Sequence, residues 1–154
     1  MKKYILTYDC LLEASSEDVF AFHTDTHNLP LITPPSTHVL IVSMDTPLHE
    51  KSKVVLDIKR FGITTRWEME IAVFSYPNAI VDEMIKGPFA FFRHERQFIE
   101  IDEKLTHMEE TISFSPPFAW LGGILFWFLK KDMDAMFAYR HKATKAYFLS
   151  KEKL

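Results

Sequence analysis

From His38 to Ser115 the chain alternates apolar and polar residues through six consecutive segments; past Pro116-Pro117 the period changes once, to that of a single long helix. No other feature restricts the fold as strongly. The period-two segments are His38–Met44, Lys53–Phe61, Thr64–Tyr76, Ala79–Lys86, Phe89–Ile101 and Leu105–Ser115. Such alternation sends successive side chains to opposite faces of a strand. Turn formers separate the segments: Thr46-Pro47, Phe61-Gly62, Tyr76-Pro77-Asn78, Gly87-Pro88 and Asp102-Glu103-Lys104. Connections this short join antiparallel neighbours, since a parallel crossover needs about a dozen residues.

Ahead of these segments, Tyr4 to Leu12 reads as a further strand. Ser15 or Ser16 then caps a short helix, with Asp18 at the third position after Ser15. Asn28-Leu29-Pro30 interrupts it and Thr33-Pro34-Pro35 closes the stretch, so two short helices or turns are expected between Ser16 and Ile32. The final pattern, about Phe118 to Ser150, places Leu129, Met133, Met136, Phe137, Arg140, Ala143 and Tyr147 on one helical face. The predicted fold is α+β, in the order β-α-α-β6-α. A curved antiparallel sheet wraps the long helix, and a cavity is left between them.

The 154 residues suit one domain spanning 1–154, with enough chain for a real core. A net charge of -3 argues against a general nucleic-acid binder, which needs a basic surface. The single Cys10 excludes an internal disulfide framework and fits a reducing compartment. The apolar run after Met1-Lys2-Lys3 stops at Thr7, Asp9 and Glu13, so no signal sequence forms. The longest apolar run, Phe118 to Leu129, is shorter than the roughly 20 residues that span a bilayer. A cytoplasmic location is expected.

The chemistry concentrates on the strand around His94. One face of it carries Phe92, His94, Arg96 and Phe98; the other carries Arg93, Glu95 and Gln97. Basic residues in an aromatic row are costly unless paired or used. If residues 102–104 form the loop, Ile101 faces Leu105, Phe98 faces Met108, Arg96 faces Glu110 and His94 faces Ile112. Arg96 and Glu110 then make a cross-strand ion pair, either structural or an anchor for a ligand's polar group, and His94 is the freer residue. Arg140 adds a third basic group on an inward surface. Trp67, Met69, Ile71 and Val73 alternate with Arg66, Glu68 and Glu70, and Val54, Leu56 and Ile58 alternate with Asp57 and Lys59, so both sets face inward. Asp82 and Glu83 must face opposite ways, and solvated rim positions account for them unless burial raises a carboxyl pKa.

Other chemistry is weakly signalled. No Gly-rich phosphate loop occurs, and no cofactor is implied. His23 and His27 stand four apart without a third ligand, so no metal is expected. Cys10 has no surrounding motif and is not read as a nucleophile. Residues 130 to 154 hold seven Lys or Arg against three Asp or Glu, and Trp120 to Leu129 is apolar. That combination suits transient contact with a membrane, or a helix whose apolar face the sheet already covers.

The order of these elements resembles the START-like helix-grip superfamily (SRPBCC), which includes birch-pollen-allergen-like proteins, lipid-transfer domains and polyketide cyclases. The residues that carry the resemblance are Asp18-Val19-Phe20-Ala21-Phe22, Asn28-Leu29-Pro30, Thr33-Pro34, Gly62-Ile63 with Trp67, and Val81-Asp82-Glu83 with Gly87-Pro88-Phe89. His94 with Phe98, Thr106 with Met108 and Glu110, and Phe137 with Tyr139-Arg140 complete it. The resemblance covers nearly the whole chain and is narrowest to a bacterial branch of small ligand-binding domains. It implies a seven-stranded sheet gripping a C-terminal helix over an apolar cavity, and a hydrophobic or amphipathic ligand. That branch tends to carry His-x-His-x-Phe after Gly-Pro-Phe; here Arg96 replaces the second His, which favours holding an anion over shuttling a proton.

The leading expectation is a binding protein for a lipid, isoprenoid or polyketide-like molecule. Trp67, Phe92, Phe98, Met108, Ile112 and Met136 form its walls, and His94, Arg96, Glu110 and Arg140 orient a polar group. A cofactor-free cyclase or lyase using His94 with Glu110 or Asp82 is the alternative. An interaction module with a filled cavity, meeting a partner through Trp120–Leu129, is the third. Oligomeric state has no signature in the sequence.

Overall fold

In the computed structural model, which describes every residue except 119 and 121, the elements follow the expected order. Strand β1 (Tyr4–Leu12) leads to helix α1 (Ser16–Thr24) and a 3-10 helix (Thr26–Ile32). Then come β2 (Thr37–Met44), β3 (Lys53–Arg60), β4 (Ile63–Ser75), β5 (Ala79–Lys86), β6 (Phe91–Asp102), β7 (Leu105–Ser115) and α2 (Gly122–Lys151). All seven strands form one antiparallel sheet in the order β1-β7-β6-β5-β4-β3-β2. The first two strands are therefore the sheet's opposite edges. Helix α1 and the 3-10 helix carry the chain from one edge to the other.

Local chemistry explains the boundaries. The Ser15 hydroxyl accepts from the Asp18 backbone N–H at 3.1 Å, capping α1 as the sequence suggests. Asp25 ends α1 and caps the 3-10 helix in turn, and Pro30 lies inside that helix. The β3–β4 hairpin turns on Phe61 and Gly62, both at positive φ (51 and 74), the geometry of a two-residue loop matched to strand twist. Phe61 has a Cβ where glycine is preferred, and its ring instead lies 4.9 Å from the Arg60 guanidinium.

The β6–β7 register is as expected where it matters: His94 opposes Ile112, Arg96 opposes Glu110 and Phe98 opposes Met108. The turn differs. A bulge between Glu100 and Asp102 pairs Asp102 with Leu105, so Ile101 does not face Leu105. A second bulge, between Ile71 and Val73, reverses the phase of β4; Val73 is exposed and Phe74 packs on the core instead. Strand β6 begins at Phe91, two residues later than predicted, and Phe89 turns inward onto Trp67 and Phe92. The long helix is found as Gly122–Lys151; the part of its expected start at residues 119 and 121 lies outside the described residues.

Helix α2 does not lie evenly over the sheet. Its inner side chains Phe126, Leu129, Met133 and Phe137 pack against Leu6, Ile112 and Phe114 of β1 and β7. Farther along, Phe148 joins Phe20, Phe22, Phe98 and Met108 in a second cluster under α1. Phe20 meets Phe74, Tyr76 and Phe98 edge-on at 5.1 to 5.7 Å, each contact worth about 0.5–1.5 kcal/mol beyond burial. The outer face of the first helical turns is left open: Ile124, Trp127 and Phe128 are exposed, as is Trp120 before them. No helix among the described residues is long and apolar enough to cross a membrane.

Candidate functional site

Because α2 leans toward β1 and β7, the concave face of β2 to β5 is not filled. A cavity of about 340 Å³ remains there, walled by both sheet and helix. Val54, Leu56, Trp67 and Met69 line it from β3 and β4, and Met133 and Met136 from α2. These are inward positions of the strand phases read from sequence. Polar groups from several elements also reach the wall, at two places.

The first place is a buried ionic cluster on β5, β6, β7 and α2. Asp82 opposes His94 across β5 and β6, and Arg96 opposes Glu110 across β6 and β7. The hydrogen-bonded pairs between strands are diagonal rather than direct. Arg96 bonds the Asp82 carboxylate through Nη2, and His94 Nε2 lies 2.6 Å from Glu110 Oε2. The other Glu110 oxygen takes a bond from His141 Nε2, also at 2.6 Å. His94 Nδ1 faces Asp82 Oδ2 at 3.5 Å. The expected Arg96–Glu110 pair is thus replaced. Two imidazoles already occupy both oxygens of Glu110, and diagonal neighbours on one sheet face lie within reach of long side chains. His94 is not the freer group either: it is buried between two carboxylates. Nor is Asp82 a rim residue; its side chain is 16% exposed and turned inward.

Electrostatics keep both acids ionised. Burial pushes the Asp82 carboxyl up, but the Arg96 guanidinium and His94 outweigh it and hold the group at about 2. Burial acts likewise on Glu110, and the bonds from His141 and His94 hold it well below the usual carboxylate range. Because Glu110 is a carboxylate, each facing Nε2 must donate, which fixes a proton on that nitrogen of both rings. Arg140 stands apart. It lines the cavity and is half-buried, yet its guanidinium makes no hydrogen bond or ion pair among the described residues and lies 5.4 Å from the Phe137 ring. Burial, with the Arg96 charge acting the same way, outweighs the opposing pull of Glu110 and Asp82 and lowers its pKa.

His23 of α1 joins this end. Its Nδ1 donates to the Val19 carbonyl at 2.8 Å, so Nε2 carries no hydrogen. Burial first, and then the Arg96 charge, push the ring down to about 3, leaving it neutral. The cavity wall therefore holds a bare nitrogen acceptor beside cationic donors.

The second place is the Arg60 end. Arg60, last residue of β3, is ion-paired with Asp132 of α2. Thr37, its direct partner on β2, is buried beside it. Of the buried side-chain polar atoms among the described residues, Thr37 Oγ1, Arg60 Nε and Arg96 Nε have no partner. All three residues line this same cavity. Buried polar atoms are seldom left unpaired, so their gathering here is informative.

Of the residues named from sequence, Trp67, Asp82, Phe92, His94, Arg96, Met136 and Arg140 stand on the cavity wall. Phe98, Met108 and Ile112 do not. They share the inward phase but lie under α1 and α2, in closed core. Glu110 is one layer beneath the wall, holding His94 and His141. His141, His23, Thr37 and Arg60 were missed. The signal for His141 was present: Phe137, His141, Thr144 and Phe148 are spaced as one helical stripe, and that stripe faces the sheet. The predicted stripe through Met133, Met136 and Arg140 is its neighbour and faces the cavity. His23 and His27 make no metal pair. His27 is exposed and bonded to Asp25, and among the described residues no three His, Cys, Asp or Glu are grouped to hold a metal. Cys10 is buried, its thiol pushed up to about 12 by that burial.

Comparison with solved structures gives the same architecture. A START superfamily protein from Mycobacterium smegmatis superposes with a TM-score of 0.73 at 13% identity, over 95% of this chain and 97% of that one. The Zhui aromatase/cyclase of a Streptomyces species gives 0.75 at 15%, over 95% and 93%. A major latex-like protein of Panax ginseng gives 0.66 at 12%, over 96% and 98%. No curated protein sequence matches the chain. A family model described as polyketide cyclase / dehydrase and lipid transport matches residues 12–138, most of the length, and the chain belongs to that family.

Proposed function

We propose that the protein binds an amphipathic small molecule of lipid, isoprenoid or polyketide type, with its anionic head at Arg140 and Arg96. The observation that carries this reading is Arg140. A half-buried guanidinium on a largely apolar cavity wall, near the Glu110 and Asp82 carboxylates but bonded to neither among the described residues, is an expensive arrangement unless something anionic completes it. Arg96 supports the same reading, since Asp82 occupies its Nη2 while its Nε remains free. The apolar walls supply the rest of the binding through burial of the ligand's chain. A filled cavity, the premise of an interaction module, does not fit the open volume.

The test is native mass spectrometry of the purified protein for a retained small molecule, followed by calorimetric titration with decanoate. Arg140→Met is expected to weaken decanoate at least tenfold. Unchanged affinity in that variant would sink the role assigned to Arg140.

One observation favours a catalytic reading, of cyclase or lyase type. His23 lines the wall with a neutral ring near two guanidinium groups, an acceptor for a substrate hydroxyl beside donors suited to an enolate oxygen, with a pKa of about 3 that makes it a weak base. Glu110 is a poorer candidate acid or base, being off the wall with both oxygens engaged. Turnover of a poly-β-keto substrate that vanishes in His23→Gln supports this reading; turnover unaffected by that change removes it.

A further inference from the structure

The two polar ends of the cavity differ in kind, and the difference specifies the ligand more closely. Accepting the binding reading above, we infer that the ligand is two-headed: an anion at the Arg96–Arg140 end and a neutral oxygen, hydroxyl or carbonyl, at the Thr37–Arg60 end. Thr37 and Arg60 face each other directly across β2 and β3. Thr37 is only 6% exposed, and its hydroxyl has no partner among the described residues. Arg60 Nε is buried and equally without an acceptor. Two adjacent orphan donors on one cavity wall are what an oxygen acceptor would satisfy.

Charge decides what sort of oxygen. The Arg60 guanidinium is already neutralised by Asp132, so this end has no net attraction for an anion. At the other end the wall holds two guanidinium groups and the Asp82 carboxylate; Glu110, a layer beneath, has both oxygens engaged by His94 and His141, so the Arg140 guanidinium is left without a bonded partner among the described residues. An anion therefore goes to Arg140, and a neutral group to Thr37. Spacing fixes the length. Asp132 and Arg140 both line the cavity and are eight residues apart on α2, a rise of roughly 12 Å. Met133, Met136, Leu56 and Met69 line the wall too and offer a methylene chain only apolar contacts. A medium-chain carboxylate with a terminal hydroxyl fits the description; an unsubstituted fatty acid leaves the Thr37 end unsatisfied.

The test compares decanoate with ω-hydroxydecanoate by calorimetric titration of the full chain. The hydroxylated acid is expected to bind roughly five- to tenfold more tightly, the effect of one or two neutral hydrogen bonds. Thr37→Val keeps the side-chain shape and removes the hydroxyl. Arg60→Lys keeps the ion pair with Asp132 and removes Nε. Each is expected to reduce the preference to about twofold or less. Equal affinity of wild type for the two acids, both binding saturably, overturns the second head and leaves the binding reading standing. A preference that survives intact in both variants puts the hydroxyl elsewhere and also overturns it. If neither acid binds, both readings fall. Should a variant not fold, the wild-type preference decides alone.

Discussion

The two halves of the concave sheet face look alike by burial and behave as different materials. On the β1-β7-β6 side Ile112 and Phe114 are fully buried; on the β2 to β4 side Leu56 and Met69 are 7% exposed. Almost no solvent reaches either set. The difference is what lies against them: Ile112 and Phe114 meet Phe126, Met133 and Phe137 of α2, whereas Leu56 and Met69 meet a void. A residue can be buried without being packed. Its contribution to stability then falls short of what its burial suggests, because dispersion contacts are missing on one side.

A matched pair of truncations separates the two sides by the largest amount. Ile112→Ala opens a new hole in close-packed core and is expected to destabilise by about 4 kcal/mol. Leu56→Ala only enlarges a hole that exists, and about 2 kcal/mol or less is expected, since few neighbours lose contacts. Urea denaturation of both variants checks it. Equal losses would mean that the β3–β4 side is as tightly packed as the other.

A second test addresses the ionic layer between the halves. Glu110→Gln preserves shape and removes the charge that both His94 and His141 donate to. One imidazole then meets an amide NH2 in place of an acceptor. A loss of about 3 kcal/mol is expected, typical of leaving a buried partner unsatisfied. A loss under about 1 kcal/mol would show the network to be dispensable to the fold.

His23, which packs 5.4 Å from Phe98 while lining the cavity, tests the seam by pH. Its folded pKa, about 3, is below the unfolded value near 6.5. The unfolded chain therefore binds the extra proton first. Stability from this group is complete above pH 6.5 and is lost as pH falls toward 3, by about 1.4 kcal/mol per unit. Between pH 6.5 and 4.5 the wild type should lose about 2–3 kcal/mol relative to His23→Gln. Parallel pH profiles of the two proteins would mean that His23 is hydrated and belongs to the open side.

The sequence revealed the sheet in detail because alternation sets both strand phase and register. His94, Arg96, Phe98 and their opposite residues on β7 were placed correctly by that rule alone. It could not separate Phe98, Met108 and Ile112, which are core, from Trp67 and Phe92, which are wall. Phase says which face a residue takes, not whether a helix lies on that face. That depends on the lean of α2, set by many contacts distant in sequence. The bulge at Ile71 and Val73 was hidden for a related reason, since both residues are apolar and either phase reads plausibly. Arg96 and Glu110 are opposed without being paired, because His141, from a distant helix, competes for the acid.

Arg140 gives the smallest expected change in stability and the sharpest contrast between the halves. A charge in close-packed core could not be kept without a partner; on the wall of a void it can, at a desolvation cost that the lowered pKa reflects. Arg140→Met removes that cost and keeps much of the side chain's bulk. Stability of the ligand-free protein is expected to stay the same or rise by up to about 1 kcal/mol. Affinity for decanoate should fall at least tenfold in the same variant. The opposite signs are the point, because a residue that only supports the fold would lose stability and affinity together. If Arg140→Met lowers Tm while decanoate binding is retained, Arg140 belongs to the ionic layer with Glu110, and the cavity's anion site must rest on Arg96 alone.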